Sequence, residues 1–300
     1  MFTNREEHSS FWKNALTWSG SVTPKVMKLV IFFSLYSLVI TCLLSGHTDL
    51  DLDVGPFEVS GAILGLLLVV RTNAGYDRWW EARKLWGGIV NQSRNLVISA
   101  LQYGPQDLEW KKNLVKWAAA FPHVAKRSLR GEMEFSELSH FLSSEEIDAV
   151  LDSRHMPSYV VDQLARCIHF ARVQRKLDDF SFLAIDRERT ALVDYIGACE
   201  RILKTPIPLV IAIKVRRFIL LFLLLVPFVL LQKVGWSTPI VMFLISYPIL
   251  ALDQIGIELQ SPFRKENLSH LPLNEISKNI EDDLFGFLES HLSASINNVD

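Results

Sequence analysis

GPFEVSGAILGLLLVVRTNAGYDRWWEARKLWGGIVNQSRNLVISALQY, residues 55–103, holds no proline after Pro56 and no sustained alternation of apolar and polar residues. A helix is therefore expected across the whole stretch. Residues 59–70 are apolar; from Arg71 onward charges recur every few residues while the composition stays helical. One helix thus starts inside a membrane and finishes in water, as a pore-lining helix would. The uncharged part spans about 18 Å, too short to cross lipid alone. Flanked by Glu58 and Arg71, it needs neighbouring helices around it rather than lipid. Gly61 and Gly65 form a GxxxG pair that permits close helix approach. From the residues alone, a buried helix of a bundle and a pore-lining helix are equally open readings.

Outward from this stretch, residues 27–44 carry no charge after Lys28 and reach about 27 Å as a helix, close to the hydrocarbon thickness. The following loop, SGHTDLDLDVGP, holds Asp49, Asp51 and Asp53 without lysine or arginine, so the positive-inside rule places it outside. Residues 71–208 are charged and rich in helix formers. KKNLVKWAAAF, SEEIDAVL and VDQLARCIHFARVQRKLDD have apolar residues at three-and-four spacing, the pattern of amphipathic helices, and SSEE (143–146) reads as a capping box. In TPIPLVIAIKVRRFILLFLLLVPFVLLQK, Lys214, Arg216 and Arg217 mark the inner side, and 218–231 form a dry stretch that Pro227 kinks. A turn at 234–238 leads to a fourth span, 239–252, which Asp253 and Glu258 carry into the cytosol. The expected fold is an all-α membrane protein. Its parts are an N-terminal cytosolic or interfacial segment (1–26), transmembrane helices 1 and 2 (27–70), a helical cytosolic domain (71–208), transmembrane helices 3 and 4 (209–260) and a cytosolic C-terminal segment (261–300). Four spans put both ends inside. For residues 1–25, with Phe11, Trp12 and Trp18, an interfacial helix and a mobile tail are both open.

The composition agrees: 49% of the 300 residues are hydrophobic against 21% charged, with a mean hydropathy of +0.20. A net charge of −2 argues against nucleic acid, which needs a basic surface. The 3 cysteines, Cys42, Cys167 and Cys199, make no CxxC pair and imply neither a disulfide framework nor a zinc site. A cleaved signal peptide is not expected. No HExxH, GxxxxGK[ST], GxSxG or GxGxxG occurs, and the 8 histidines are scattered, reading as surface or packing residues. Glu281, Asp282 and Asp283 are adjacent on an expected helix, point in different directions and are taken as a solvated face. Nothing supports an enzyme, a cofactor or a metal.

The segment RTNAGYDRWWEARKLWGGIVNQSRNL (71–96) resembles the signature of the bestrophin family of ion channels, with Arg71, Arg78, Trp79, Trp80 and Glu81 in its charged motif. CERILKTPIPL (199–209) and IGIELQSPF (255–263) are similar to two further family segments, and the likeness runs over nearly the whole chain. It is closest in size to the shorter bacterial members, which are related to voltage-dependent anion channel-forming proteins. The resemblance implies a homopentamer around one axial pore, set in the inner membrane of a bacterium. It implies a hydrophobic neck at Ala62, Leu66 and Val70, and a second, cytosolic constriction at Ile207. It implies chloride and related anions as permeant ions, bicarbonate and nitrate among them, with membrane lipid as surroundings; some bacterial members pass monovalent cations instead. In animal members an acidic cluster after the SPF-like turn forms a calcium clasp. Here that place reads Arg264-Lys265-Glu266-Asn267, with Glu266 its lone carboxylate and Ser261 replacing an asparagine. At 100° per residue the stripe through Ala62, Leu66 and Val70 continues into Asn73, Asp77, Trp80 and Lys84, while Arg71 and Arg78 point away. Asp77 and Lys84 are thereby expected to approach a vestibule, and Arg71 and Arg78 to form ion pairs; packing pairs for all four charges are the competing expectation.

Overall fold

A computed structural model of the chain describes residues 11–45, 53–133 and 136–297. Among them there is no strand. In chain order the helices are α1 (Phe11–Ala15), α2 (Thr23–Leu44), α3 (Gly55–Tyr103), α4 (Leu108–Arg130), α5 (Ser144–Leu151), α6 (Met156–Val173), α7 (Asp179–Lys204), α8 (Leu209–Val234), α9 (Thr238–Gln260) and α10 (Leu273–Asn297), with a 3-10 turn, Gly235–Ser237, between α8 and α9. Asp49 and Asp51, which the charge argument placed outside the membrane, lie outside the described residues.

Local chemistry sets these ends. Pro24 takes the first turn of α2, where its missing N–H costs nothing, so the helix starts before the apolar run at 27. The side chain of Asp107 accepts from Glu109 N at 3.1 Å and Trp110 N at 3.2 Å, capping α4, which ends on Gly131 at φ 69°. Ser143 and Glu146 form the expected capping box on α5. Asp178 caps α7 by accepting from Phe180 N and Ser181 N.

The chain divides into two compact units. The first takes α2, the part of α3 up to Trp79, α8, α9 and residues Glu266–His270. Its core joins Val30 and Phe33 of α2, Leu64 and Leu68 of α3, Leu223 of α8 and Met242 of α9. Two of its helices, α2 and α3, are long and apolar enough to cross a membrane, yet only 28% and 17% of their apolar windows are buried. That low burial separates them from the core helices of soluble proteins. Outward-facing Phe32, Leu35 and Leu43 of α2, Leu221 and Leu225 of α8, and Ile240 and Leu244 of α9 complete an exposed apolar belt. A belt of this extent needs lipid or protein against it. In lipid, helices associate through packing and polar contacts rather than the hydrophobic effect. Accordingly Tyr36 Oη donates to Leu224 O at 3.2 Å beside the Pro227 interruption, and Thr23 Oγ1 meets Tyr247 Oη at 2.8 Å.

The second unit takes α3 from Trp80, then α4 to α7 and α10. Here Trp86, Leu96, Leu114, Phe121, Leu164, Ile168, Leu192 and Leu284 are buried, and each such side chain contributes roughly 1.5–3 kcal/mol in an aqueous setting. The acidic run on α10 corrects the sequence expectation. Asp282 is solvated, but Glu281 is buried: its carboxylate lies 2.9 Å from His123 Nε2, 2.8 Å from His140 Nε2 and 2.6 Å from Lys278 Nζ. Three cationic or cation-capable neighbours make its burial tolerable, and their convergence from α4, α10 and the segment before α5 is invisible in the local sequence.

Candidate functional site

The 49-residue helix α3 keeps one face inward along its length. Leu64, Leu68, Arg71, Gly75, Ala82, Trp86, Ile89, Ser93 and Ala100 are buried, and at 100° per residue they lie on one side of the helix. On the opposite side, Ala62, Leu66, Val70, Asn73, Asp77, Trp80 and Lys84 are all exposed, within an arc of about 80°. The contrast is steep: Leu64 and Leu68 are each 1% exposed, Leu66 65% and Val70 57%. The neck and vestibule residues of the sequence reading therefore share one face, apolar over its first turns and polar beyond.

Arg71 and Arg78 leave that face. Arg71 Nη1 reaches Asp253 Oδ1 on α9, and Arg216 Nε of α8 lies 3.3 Å from Asp253 Oδ2. One carboxylate therefore joins three helices of the first unit. Arg78 Nε donates to Gln260 O at 3.3 Å, and Trp79 Nε1 to Ser269 O at 2.6 Å while its ring stacks on Tyr76. Glu81 faces Arg201 at 3.7 Å, a loose surface pair. Ile207 is half-buried in the connection between α7 and α8.

Sequence reasoning missed Asp253 as the partner of Arg71, Glu258 as the partner of Lys25 at 2.7 Å, and the close passage of α3 against α9. A Cβ on Gly75 would sit 3.0 Å from Gly256 O, so the two backbones nearly touch. A signal was available. Both α3 and α9 run from an uncharged stretch into a first charge, Arg71 in one and Asp253 in the other, and opposite charges at one depth are natural partners. Of the GxxxG pair, Gly61 packs against Phe222 of α8, while among the described residues of this chain nothing lies within 4 Å of a Cβ on Gly65.

Other chemistry is sparse. Burial pushes the Cys167 and Cys199 thiols up to about 12, so both stay protonated and pack as small apolar groups. At the calcium-clasp position Lys265 Nζ lies 2.5 Å from Glu132, and Asn267 Nδ2 donates to the carbonyls of Ser261 at 2.9 Å and Glu258 at 3.3 Å. Among the described residues no group of three His, Cys, Asp or Glu side chains is placed to hold a metal ion.

Comparison with known proteins agrees with this geometry. The family described as Bacterial/Fungal Bestrophin protein matches residues 2–285. A voltage-dependent anion channel-forming protein of Nostoc sp. is 33% identical over 271 residues, covering 88% of each chain. One of the same name from Escherichia coli K12 is 30% identical over 286 residues, covering 95% of this chain and 93% of its own. Among solved structures, a bacterial bestrophin homolog from Klebsiella pneumoniae superposes with a TM-score of 0.80 at 28% identity, over 87% of this chain and 96% of that one.

Proposed function

The chain belongs to the bacterial and fungal bestrophin family, and from that membership we propose that it is a homopentameric channel conducting chloride and other small monovalent anions across a bacterial inner membrane. The observation that carries the proposal is the outward stripe of α3, which the described residues of its own chain leave uncovered. In the proposed assembly, copies of Ala62, Leu66 and Val70 ring the axis as a neck, Asn73, Asp77 and Lys84 line the vestibule beyond it, and Ile207 forms a second constriction. α2, the apolar part of α3, α8 and α9 are the four spans, with both termini cytosolic and the remainder of α3 leading into the cytosolic unit. Chloride, bicarbonate and nitrate are the candidate substrates.

A ring of Leu66 and Val70 side chains offers an ion no hydrogen bond, so it gates by wetting: narrow, it expels water; widened, it refills. Weakly hydrated anions lose least on passing. The relatives' name, voltage-dependent anion channel-forming protein, supports anions over cations. Exposed Asp53, Glu58 and Asp77 pull the other way, since carboxylates attract cations.

Purified protein in planar bilayers under asymmetric KCl tests the reading. A reversal potential near the chloride equilibrium value is expected, with Leu66→Ala raising the current at every voltage. A reversal near the potassium value would replace the anion by a cation, and no current from either form would remove the channel.

A further inference from the structure

An open groove of about 390 Å³ runs over the first unit between α2, α8 and α9. Its walls change character in one direction. Along α2, Lys25 is followed at four-residue spacing by Leu29 and Phe33; along α8, Arg216 is followed by Leu220. Four-residue spacing puts each set on one helix face. Both helices begin on the same side of the membrane in the proposed topology, so the cationic ends and the apolar ends coincide. Leu29 and Leu220 are exposed, and so are the nearby Lys28, Lys214 and Arg217, which have no ion-pair partner among the described residues.

We propose that this groove holds an anionic phospholipid of the cytosolic leaflet, its phosphate at Lys25 and Arg216, with Lys28 and Arg217 on the same helix turns adding to the positive potential there, and one acyl chain along Leu29, Phe33 and Leu220. The occupant follows from charge and depth. The carboxylate in the groove wall, Asp253, and Glu258 further along α9 are already neutralised: Asp253 accepts from Arg71 and Arg216, and Glu258 from Lys25, Gln254 and Leu268 N. Positive charge is therefore in excess at the level where headgroups lie, and cationic side chains there attract anionic lipid. Arg216 engages Asp253 through Nε at 3.3 Å, and its terminal amino groups match a phosphate, a bidentate partner for a guanidinium.

The position also couples the lipid to α3. Arg216 and Arg71 share Asp253, and Arg71 follows directly on the neck residue Val70. A phosphate drawing Arg216 away leaves Asp253 to Arg71 alone and changes the restraint on the neck helix. This half of the proposal rests on the channel reading; the lipid site does not.

Native mass spectrometry of the intact detergent-solubilised oligomer, incubated with phosphatidylglycerol or phosphatidylcholine, reads the site directly. Wild-type protein is expected to retain phosphatidylglycerol over phosphatidylcholine by about tenfold or more, at roughly 1 kcal/mol per basic residue near the headgroups. Lys28→Gln with Arg217→Gln, which breaks no ion pair among the described residues, should lower the ratio several-fold, and Leu220→Trp should block the groove and lower retention of both lipids. Equal retention of the two lipids by wild type, or unaltered preference in the double variant, would overturn the site; displacement by inorganic phosphate would replace the lipid by the free anion. Chloride flux in phosphatidylcholine vesicles with and without phosphatidylglycerol reads the coupling. Wild-type flux should change several-fold with the anionic lipid and the double variant's should not. Retention without any effect on flux would overturn the coupling. Retention with no flux in any vesicle would leave the lipid site standing and sink the channel reading instead.

Discussion

Arg71 shows how one charged residue can hold a helix bundle together. Its side chain is 5% exposed and that of Asp253 12%, so neither charge is well solvated, and each is tolerable only because the other is there. Removing one partner strands the other. Asp253→Ala is expected to destabilise the first unit by about 3–5 kcal/mol, whereas Arg71→Met combined with Asp253→Leu should recover most of that loss. Denaturant unfolding of the detergent-solubilised protein, followed through its tryptophans, measures both; additive losses in the double variant would show that the pair is not coupled. That Arg71 and Arg78 turn from the exposed stripe of α3 was legible from helical periodicity. The identity of their partners was not, because Asp253 and Gln260 O are more than 180 residues away in the chain.

At the scale of the element, α3 is held by close backbone contact as much as by side chains. Gly75 lies against Gly256 O, and a Cβ on Gly88 would overlap the ring of Tyr195 on α7 at 2.3 Å. Gly75→Val is therefore expected to part α3 from α9, at a cost of about 1–3 kcal/mol for overpacking. The same unfolding experiment reads this loss, and stability equal to wild type would mean that the helices do not pass as closely as described. The length of α3 was legible because nothing in residues 57–103 breaks a helix, and its two faces follow from 3.6-residue periodicity. Which glycines mediate the approach was not. Gly61, Gly65 and Gly75 look alike in sequence; only the neighbouring helix decides that Gly75 needs the space, whereas Gly65 meets none of the described residues. The capping box on α5 was legible for the opposite reason: Ser143 and Glu146 complete it between themselves.

At the scale of the whole molecule, the apolar unit and the charged unit are stabilised by different physics and should respond differently to pH. In the second unit, burial alone would raise the Glu137 carboxyl, but Lys126 and Arg127 bring it down to about 2 from its ordinary 4.5, and Glu281 is lowered by Lys278, His140 and His123 against the same effect of burial. A depressed carboxylate stabilises the fold above its unfolded value, where both states are ionised. As pH falls from about 4.5 towards 2 the unfolded chain takes up protons that the folded chain refuses, and that stability is lost. The second unit should therefore unfold more readily across this window, and Glu137→Gln should flatten the dependence when helicity is followed against denaturant at each pH; an unchanged slope would contradict the role given to Glu137. The all-helical character and the membrane character of the chain could be read from periodicity and from blocks of apolar residues. The acidic network could not, since Glu281 is neutralised by side chains from three separate segments. The central claim, that the outward stripe of α3 lines a water-filled path, is tested most directly by thiol accessibility in a Cys42→Ser background: a charged, water-borne thiol reagent should block current through Leu66→Cys within seconds and leave Leu68→Cys untouched, whereas a Leu66→Cys current indifferent to the reagent, or a block at Leu68→Cys, would contradict it.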